Sequence, residues 1–273
     1  MSGVAKMQPQ AGRRPSLEFR PLGDLMIDDS YQRSIDSGAS QSLVKRIART
    51  WDWGLCQPLN VAKRDDGALY VIDGQHRLAA ARLRGDIFDL PCVVVASRSA
   101  DDEAAAFVAL NQQRRPLSKL ELFKAALAAG ETEATVIHGA LTQAGLSVAT
   151  TTNPDSWKPG QVSNIGGLEY CVRQHGEKIL RTSLLAAAVA FHGQVLRYFG
   201  TIFPGIASGV SAHGVAQGDL IGMVLGSCDQ SEWRDAINRA KAEQPNLNMR
   251  EAAVLAVGRA IAEAMDGEEQ RHG

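Results

Sequence analysis

One run, YVIDGQHRLAAARLRG at Tyr70–Gly85, constrains this chain more than any other. An apolar, β-forming stretch passes through Asp73-Gly74 into an Ala- and Leu-rich helical segment that Gly85 stops. A strand that turns on a glycine straight into a helix aims free backbone N–H groups and the positive end of the helix dipole at one spot. Gly74 lets the backbone approach a bound group. His76 and Arg77 add donors in the first helical turn, and a guanidinium forks onto phosphate or carboxylate oxygens. A cation in a first turn opposes the dipole, which points to a bound anion. The plainer alternative is a tight turn with a surface histidine and arginine.

The neighbouring signals build a small α/β arrangement around this run. Leu17–Leu22 reads as a strand, and Ser40 opens a helix with Leu43, Val44, Ile47 and Ala48 at helical spacing. Leu59–Ala62 and Leu69–Ile72 read as two strands around an Asp65-Asp66-Gly67 turn, and Leu90–Ala96 as another strand. Ser99 with Asp102 caps a helix to about Asn111, and Ser118 with Glu121 forms a capping box. From Glu131 onward nearly everything reads as helix: 135–141, 162–172, 179–199, 219–225, 233–241 and 249–265. Segments 134–146 and 149–168 could imitate a helix-turn-helix, but neither shows a recognition helix rich in Arg, Lys, Asn and Gln. The expected organisation is a tail at 1–14, an α+β domain at 15–130 with a small mixed sheet, and an all-α domain at 131–273.

Charge follows the same division. The chain carries 29 basic and 30 acidic residues, which excludes a wholly basic nucleic-acid coat. Residues 1–130 hold 18 basic and 15 acidic residues, and residues 131–273 hold 11 and 15. Cys56, Cys92, Cys171 and Cys228 have no metal-ligand spacing, so no metal site is expected and the thiols read as reduced, in a cytoplasmic protein. No run reads as a membrane span.

Three boxes in order then give a resemblance. Tyr31-Gln32-Arg33, Asp73-Gly74-Gln75-His76-Arg77 and the run from Asn111 through Arg114 to Glu121 resemble the conserved boxes of the ParB/sulfiredoxin-like superfamily, as does Gln57-Pro58-Leu59-Asn60-Val61. The match spans about residues 17–130. It implies a ParB/sulfiredoxin-like fold and a nucleoside triphosphate, ATP or CTP, in the crevice, with Mg2+ as a candidate companion. Carried over by motif, Gly74, Gln75, His76 and Arg77 hold phosphates, Arg33 approaches from the first box, Asn111 and Arg114 close from the third, and Gln57 lines the pocket. The Asp-Gly-Gln-His-Arg run also resembles proteins of phage, plasmid and defence systems.

Departures from the superfamily pattern narrow the chemistry. Gln75 stands where sulfiredoxins carry their cysteine, and no other cysteine is near the motif, so sulfinic-acid reduction is not expected. Leu110 replaces the acidic residue that begins the ParB third box, which removes a family metal ligand. Asp73 is the candidate catalytic carboxylate for an NTPase or kinase, with a helix cap as its alternative. Asp28, Asp29 and Asp36 flank the first box and read as a solvated acidic loop. The leading expectation is a ParB-like nucleotide-binding protein of a mobile element, phage or plasmid. Nucleotide would change its contacts with DNA, a second copy or a partner protein. A phosphotransferase or NTPase using the same pocket is the alternative.

Overall fold

The computed structural model describes residues 13–30, 32, 34–97, 99–112 and 116–272, with the backbone alone at 100, 111, 112 and 267–272, and it divides into two units, Met1–Arg115 and Pro116–Gly273. The described part of the first unit runs β1 (Ser16–Pro21), β2 (Leu25–Met26), α1 (Gly38–Arg49), β3 (Leu59–Lys63), β4 (Leu69–Asp73), α2 (Gln75–Arg84), β5 (Asp89–Ala96) and α3 (Ala100–Gln112). The strands form one mixed sheet in the order β1-β5-β3-β4-β2. β1/β5 and β3/β4 are antiparallel, whereas β5/β3 and β4/β2 are parallel. The β3–β4 hairpin closes as the Asp-Gly signal requires: Gly67 takes φ 83°, and the Asp66 carboxylate accepts from the Ala68 N–H at 2.9 Å.

Alternation along the strands decides what covers each face. Leu59, Val61, Val71, Leu90, Cys92 and Val94 pack with Leu78 and Ala81 of α2. Ala80 of α2 in turn packs with Val44 and Ala48 of α1. Ala62 and Ile72, which alternate with the first set, are also buried, and α3 packs against β4. The small mixed sheet with helices expected for this half is therefore the observed architecture.

The second unit runs α4 (Lys119–Ala128), α5 (Thr132–Gln143), β6 (Ser147–Val148), β7 (Gln161–Val162), α6 (Ile165–Ala190), α7 (Phe199–His213), α8 (Gly218–Gly226), α9 (Gln230–Glu243) and α10 (Met249–His272). The capping box opening α4 forms as read, with Ser118 and Glu121 satisfying each other's backbone N–H groups. α4, grouped with the first half on sequence, falls in this second unit.

Three sequence expectations are corrected here. The half read as all-α contains a short parallel strand pair, β6 with β7. The apolar run 179–199 is not one helix: α6 stops at Ala190, Gly193 turns the chain at φ 71°, and α7 begins at Phe199. Residues 149–164 form turns, one 3-10 turn at Pro154–Ser156 and β7 rather than an α-helix, so the imitation of a helix-turn-helix does not exist. The helical core holds Phe199 stacked on Phe203 at 4.9 Å and many fully buried Leu and Ile side chains. Close approach of α7 to α10 depends on Gly205 and Gly209, one turn apart on α7. A Cβ at Gly205 would lie 2.5 Å from the Ala253 carbonyl oxygen and 2.6 Å from Val257, and one at Gly209 would strike Ile261. No helix among the described residues is long and apolar enough to cross a membrane.

Candidate functional site

The strand-to-helix turn is built by an irregularity in β4. Asn60 pairs with Asp73 and Val61 with Val71, so Ile72 is an extra residue and the strand bulges just before the turn. Gly74 follows at φ 104°, a left-handed conformation, and serves as the N-cap of α2. Space is a second reason for glycine there. A Cβ would run into the Leu59 side chain and sit 2.9 Å from Arg77 Nη2. Leu59 and Arg77 thus occupy the space that a side chain at this position would need.

Arg77 is correspondingly engaged within the protein. Its Nη1 donates to the carbonyls of Gln57 and, at 3.0 Å, Pro58, and its Nη2 donates to Asp73 Oδ2 at 3.2 Å. A guanidinium so placed fastens the first turn of α2 to the segment leading into β3. Asp73 forms this ion pair, and the N-cap of α2 makes no side-chain capping bond.

A cavity of about 600 Å³ opens beside this turn. Asp73, Gly74, Gln75, His76 and Arg77 line one part of its wall. Ile47, Trp51, Leu55, Cys56, Ile72 and Phe107 supply an apolar part. Two of the lining residues carry buried nitrogens without a hydrogen-bond partner, Trp51 Nε1 and His76 Nε2. Leaving such a group unsatisfied costs on the order of 1–3 kcal/mol. Trp51 stands edge-on to Trp53, with ring centroids 5.4 Å apart.

The sequence-predicted residues distribute unevenly. Gly74, Gln75, His76, Arg77 and Asp73 come together at the cavity. Gln57 contributes its backbone carbonyl to Arg77, while its side chain is exposed and outside the cavity wall. Arg33 and Arg114 lie outside the described residues, and Asn111 is placed only by its backbone, on α3. From the first box, buried Gln32 lines the cavity and donates from Nε2 to the Val71 carbonyl. The statement that no cysteine is near the motif is corrected by Cys56, which shares the cavity. Burial pushes its thiol up, against the opposing charge of Arg77, so it is no activated thiolate.

The acidic loop before the first box is not simply solvated. Asp28 Oδ2 accepts from Arg64 Nη2 at 2.6 Å, and Ser30 donates to its other oxygen at 2.6 Å. These partners hold the Asp28 carboxyl at about 2. Arg64 also binds Glu103 of α3 and lies over the Tyr70 ring at 3.5 Å. Trp51, Leu55, Cys56, Ile47 and Phe107 escaped sequence reasoning. They are ordinary apolar residues, four of them within 47–56 and Phe107 some fifty residues later, and only the two aromatics, in a chain with 5% aromatic content, offered a signal.

The model of a family described as a family of unknown function, DUF6551, matches residues 27–215. The comparison with curated proteins returns no match. Among solved structures, the C-terminally truncated chromosome-partitioning protein ParB from Caulobacter crescentus complexed with CTP-gamma-S aligns over 75% of this chain and 98% of its own, at 17% identity and a TM-score of 0.36. The same protein complexed to the centromeric parS site aligns over 88% and 98%, at 15% identity and a TM-score of 0.25. A Pnob8-like ParB-N domain aligns over 93% and 97%, at 15% identity and a TM-score of 0.29. At these scores the alignments carry nothing about the site, which is read from its own residues.

Proposed function

The chain belongs to the DUF6551 family of unknown function, and for it we propose a ParB-like nucleotide-binding protein whose site is the cavity at the start of α2. One observation carries the reading: the two residues whose buried nitrogens lack a partner, Trp51 and His76, both line a single cavity. Buried polar groups left unpaired in a protein call for an explanation, and a ligand that satisfies them is one. The cavity has the size of a small-molecule site, on the order of 300–1,000 Å³. Its apolar part suits a flat ring, and the N-terminal turn of α2 suits an anion. A nucleoside triphosphate, ATP or CTP, has both.

In this reading Gln75 and His76 face the phosphates, while Arg77 supports the loop that presents them. Arg33, Asn111 and Arg114 complete the site from the first and third boxes. Asp52 and Asp73 are the carboxylates on the cavity wall; Asp52 accepts from the Gly54 N–H at 2.7 Å, and Asp73 pairs with Arg77. The proposed site takes Mg2+, where present, together with the phosphates. Nucleotide then alters contacts with DNA, a second copy or a partner protein, in the setting of a mobile element, phage or plasmid. The Asp-Gly-Gln-His-Arg run and the order of the boxes support that setting.

Calorimetric titration of the full chain with ATP, CTP, GTP and ADP, with and without Mg2+, tests the reading. Heat is expected with at least one triphosphate, reduced in His76→Ala. No heat with any of them overturns it. The position of Asp73 beside Gln75 and His76 favours a second reading, an NTPase or phosphotransferase. Phosphate release or transfer that Asp73→Asn abolishes would select it over binding alone.

A further inference from the structure

Among the described residues, strand β1 is an edge of the sheet, and it carries its apolar residues on the outside. Leu17 is 77% exposed and Phe19 62% exposed, whereas Glu18 and Arg20 point to the face that holds the buried Leu90 and Cys92. Glu18 and Arg20 pair with each other at 2.8 Å. The Leu22 N–H donates to the Phe88 carbonyl, so by the alternation of an antiparallel ladder the even residues of β1 bond toward β5. The N–H and C=O groups of Leu17 and Phe19 therefore face outward, away from the sheet, as a template for a further strand.

We infer that this edge pairs with β1 of a second copy, antiparallel about a two-fold axis, with Phe19 opposite Phe19 of the partner subunit. Charge selects the register. A two-fold axis normal to the sheet allows only registers that place a residue opposite its own copy. Centring on Glu18 sets two carboxylates against each other, and centring on Arg20 sets two guanidiniums against each other. Like charges directly opposite oppose pairing, and opposite charges favour it. Centring on Phe19 sets Glu18 opposite the partner's Arg20 and Arg20 opposite the partner's Glu18, on one face. On the other face it brings the two phenyl rings together. In this register each Leu17 N–H reaches the partner's Pro21 carbonyl, and the missing N–H of Pro21 ends the ladder there. Charges on the inner face of an edge strand often serve to prevent pairing. Here the same two charges block the registers on either side of the Phe19-centred one and favour that one through two opposite-charge pairs.

Sedimentation equilibrium of the full chain at micromolar concentration tests the inference. The expected mass is twice the chain mass of 29.3 kDa. Phe19→Lys, at an exposed position, returns the mass to one chain with an unchanged circular dichroism melt. Glu18→Arg does the same, and Glu18→Arg combined with Arg20→Glu restores the dimer. Phe19→Cys, mildly oxidised, yields a disulfide-linked dimer, and Leu17→Cys does not, because hydrogen-bonded cross-strand pairs lie about 5.5 Å apart at Cα, within disulfide reach. A wild-type chain that stays at one chain mass, whether because its own residues 1–12 cover the edge or for another reason, overturns the inference. So does a dimer that persists in Phe19→Lys.

Discussion

The guanidinium of Arg64 grips the carboxylate of Glu103 side-on, with Nε to Oε1 at 2.8 Å and Nη2 to Oε2 at 2.7 Å. Arg64 follows β3 in the hairpin, and Glu103 lies in the first turn of α3. The Glu103 side chain is fully buried. The fork therefore fixes α3, which places Phe107 on the cavity wall, to the strand pair that ends in the glycine turn.

Breaking this pair leaves a buried charge without its partner, and such losses run to about 3–5 kcal/mol. Arg64 retains some solvent exposure and a second partner in Asp28, which lowers the expectation to about 2–3 kcal/mol. Glu103→Gln, which leaves Arg64 with Asp28, should lower urea-unfolding stability by that amount, and Arg64→Met, which strands the buried Glu103 carboxylate, by about 3–5 kcal/mol. The double variant should cost less than the sum, because the two residues share one interaction.

Asp28 gives a pH signature. Its folded-state value of about 2 lies below the ordinary 3.8, held there by Ser30 and Arg64. The carboxylate therefore stabilises the fold above about pH 4, and the contribution drains away as pH falls toward 2. Asp28→Asn should show lower stability than wild type at pH 6 and a smaller difference at pH 3. A thermal-melt series across that range measures it.

Trp51→Phe separates a ligand contact from a packing role. The indole N–H has no hydrogen bond in the free protein to lose, so stability should fall only by the packing lost with the smaller ring, about 1–2 kcal/mol. Nucleotide affinity should fall about 5-fold, the loss of one hydrogen bond of about 1 kcal/mol. Calorimetry and urea unfolding on the same preparation check both halves.

Gly205→Ala should destabilise the second unit. The added methyl would meet the Ala253 carbonyl and Val257, so α7 and α10 must separate, at about 1–3 kcal/mol. Gly258→Ala on α10 is the control, since nothing lies within 4 Å of its Cβ position. There the helix gains propensity, and stability should rise by about 0.5–1 kcal/mol.

Legibility in the sequence followed locality. The hairpin at Asp66-Gly67, the capping box at Ser118 and Glu121, and the stop at Gly85 each rest on neighbours within a few residues, and each formed as read. The break between Ala190 and Phe199 did not show, because apolar residues on both sides of His192-Gly193-Gln194 kept a helical spacing across it. At the site, the motif residues were legible and their duties were not. Arg77 looked like a free fork, but the carbonyls of Gln57 and Pro58, some twenty residues earlier, claim it through the fold. Trp51 reaches the cavity from the segment just after α1 and Phe107 from α3, a proximity that only tertiary structure creates.

That claim by Arg77 has a consequence for how the cavity can change. Segment 51–58 brings Trp51, Leu55 and Cys56 to the wall, and residues 73–77 bring the donors of the helix start. Because one side chain stitches the two together, they move as a single mechanical part. A substitution that shifts either will retune both, so in the proposed reading the fit to a ring and the grip on a charged tail change together. Altering what this cavity accepts calls for reworking both stretches at once.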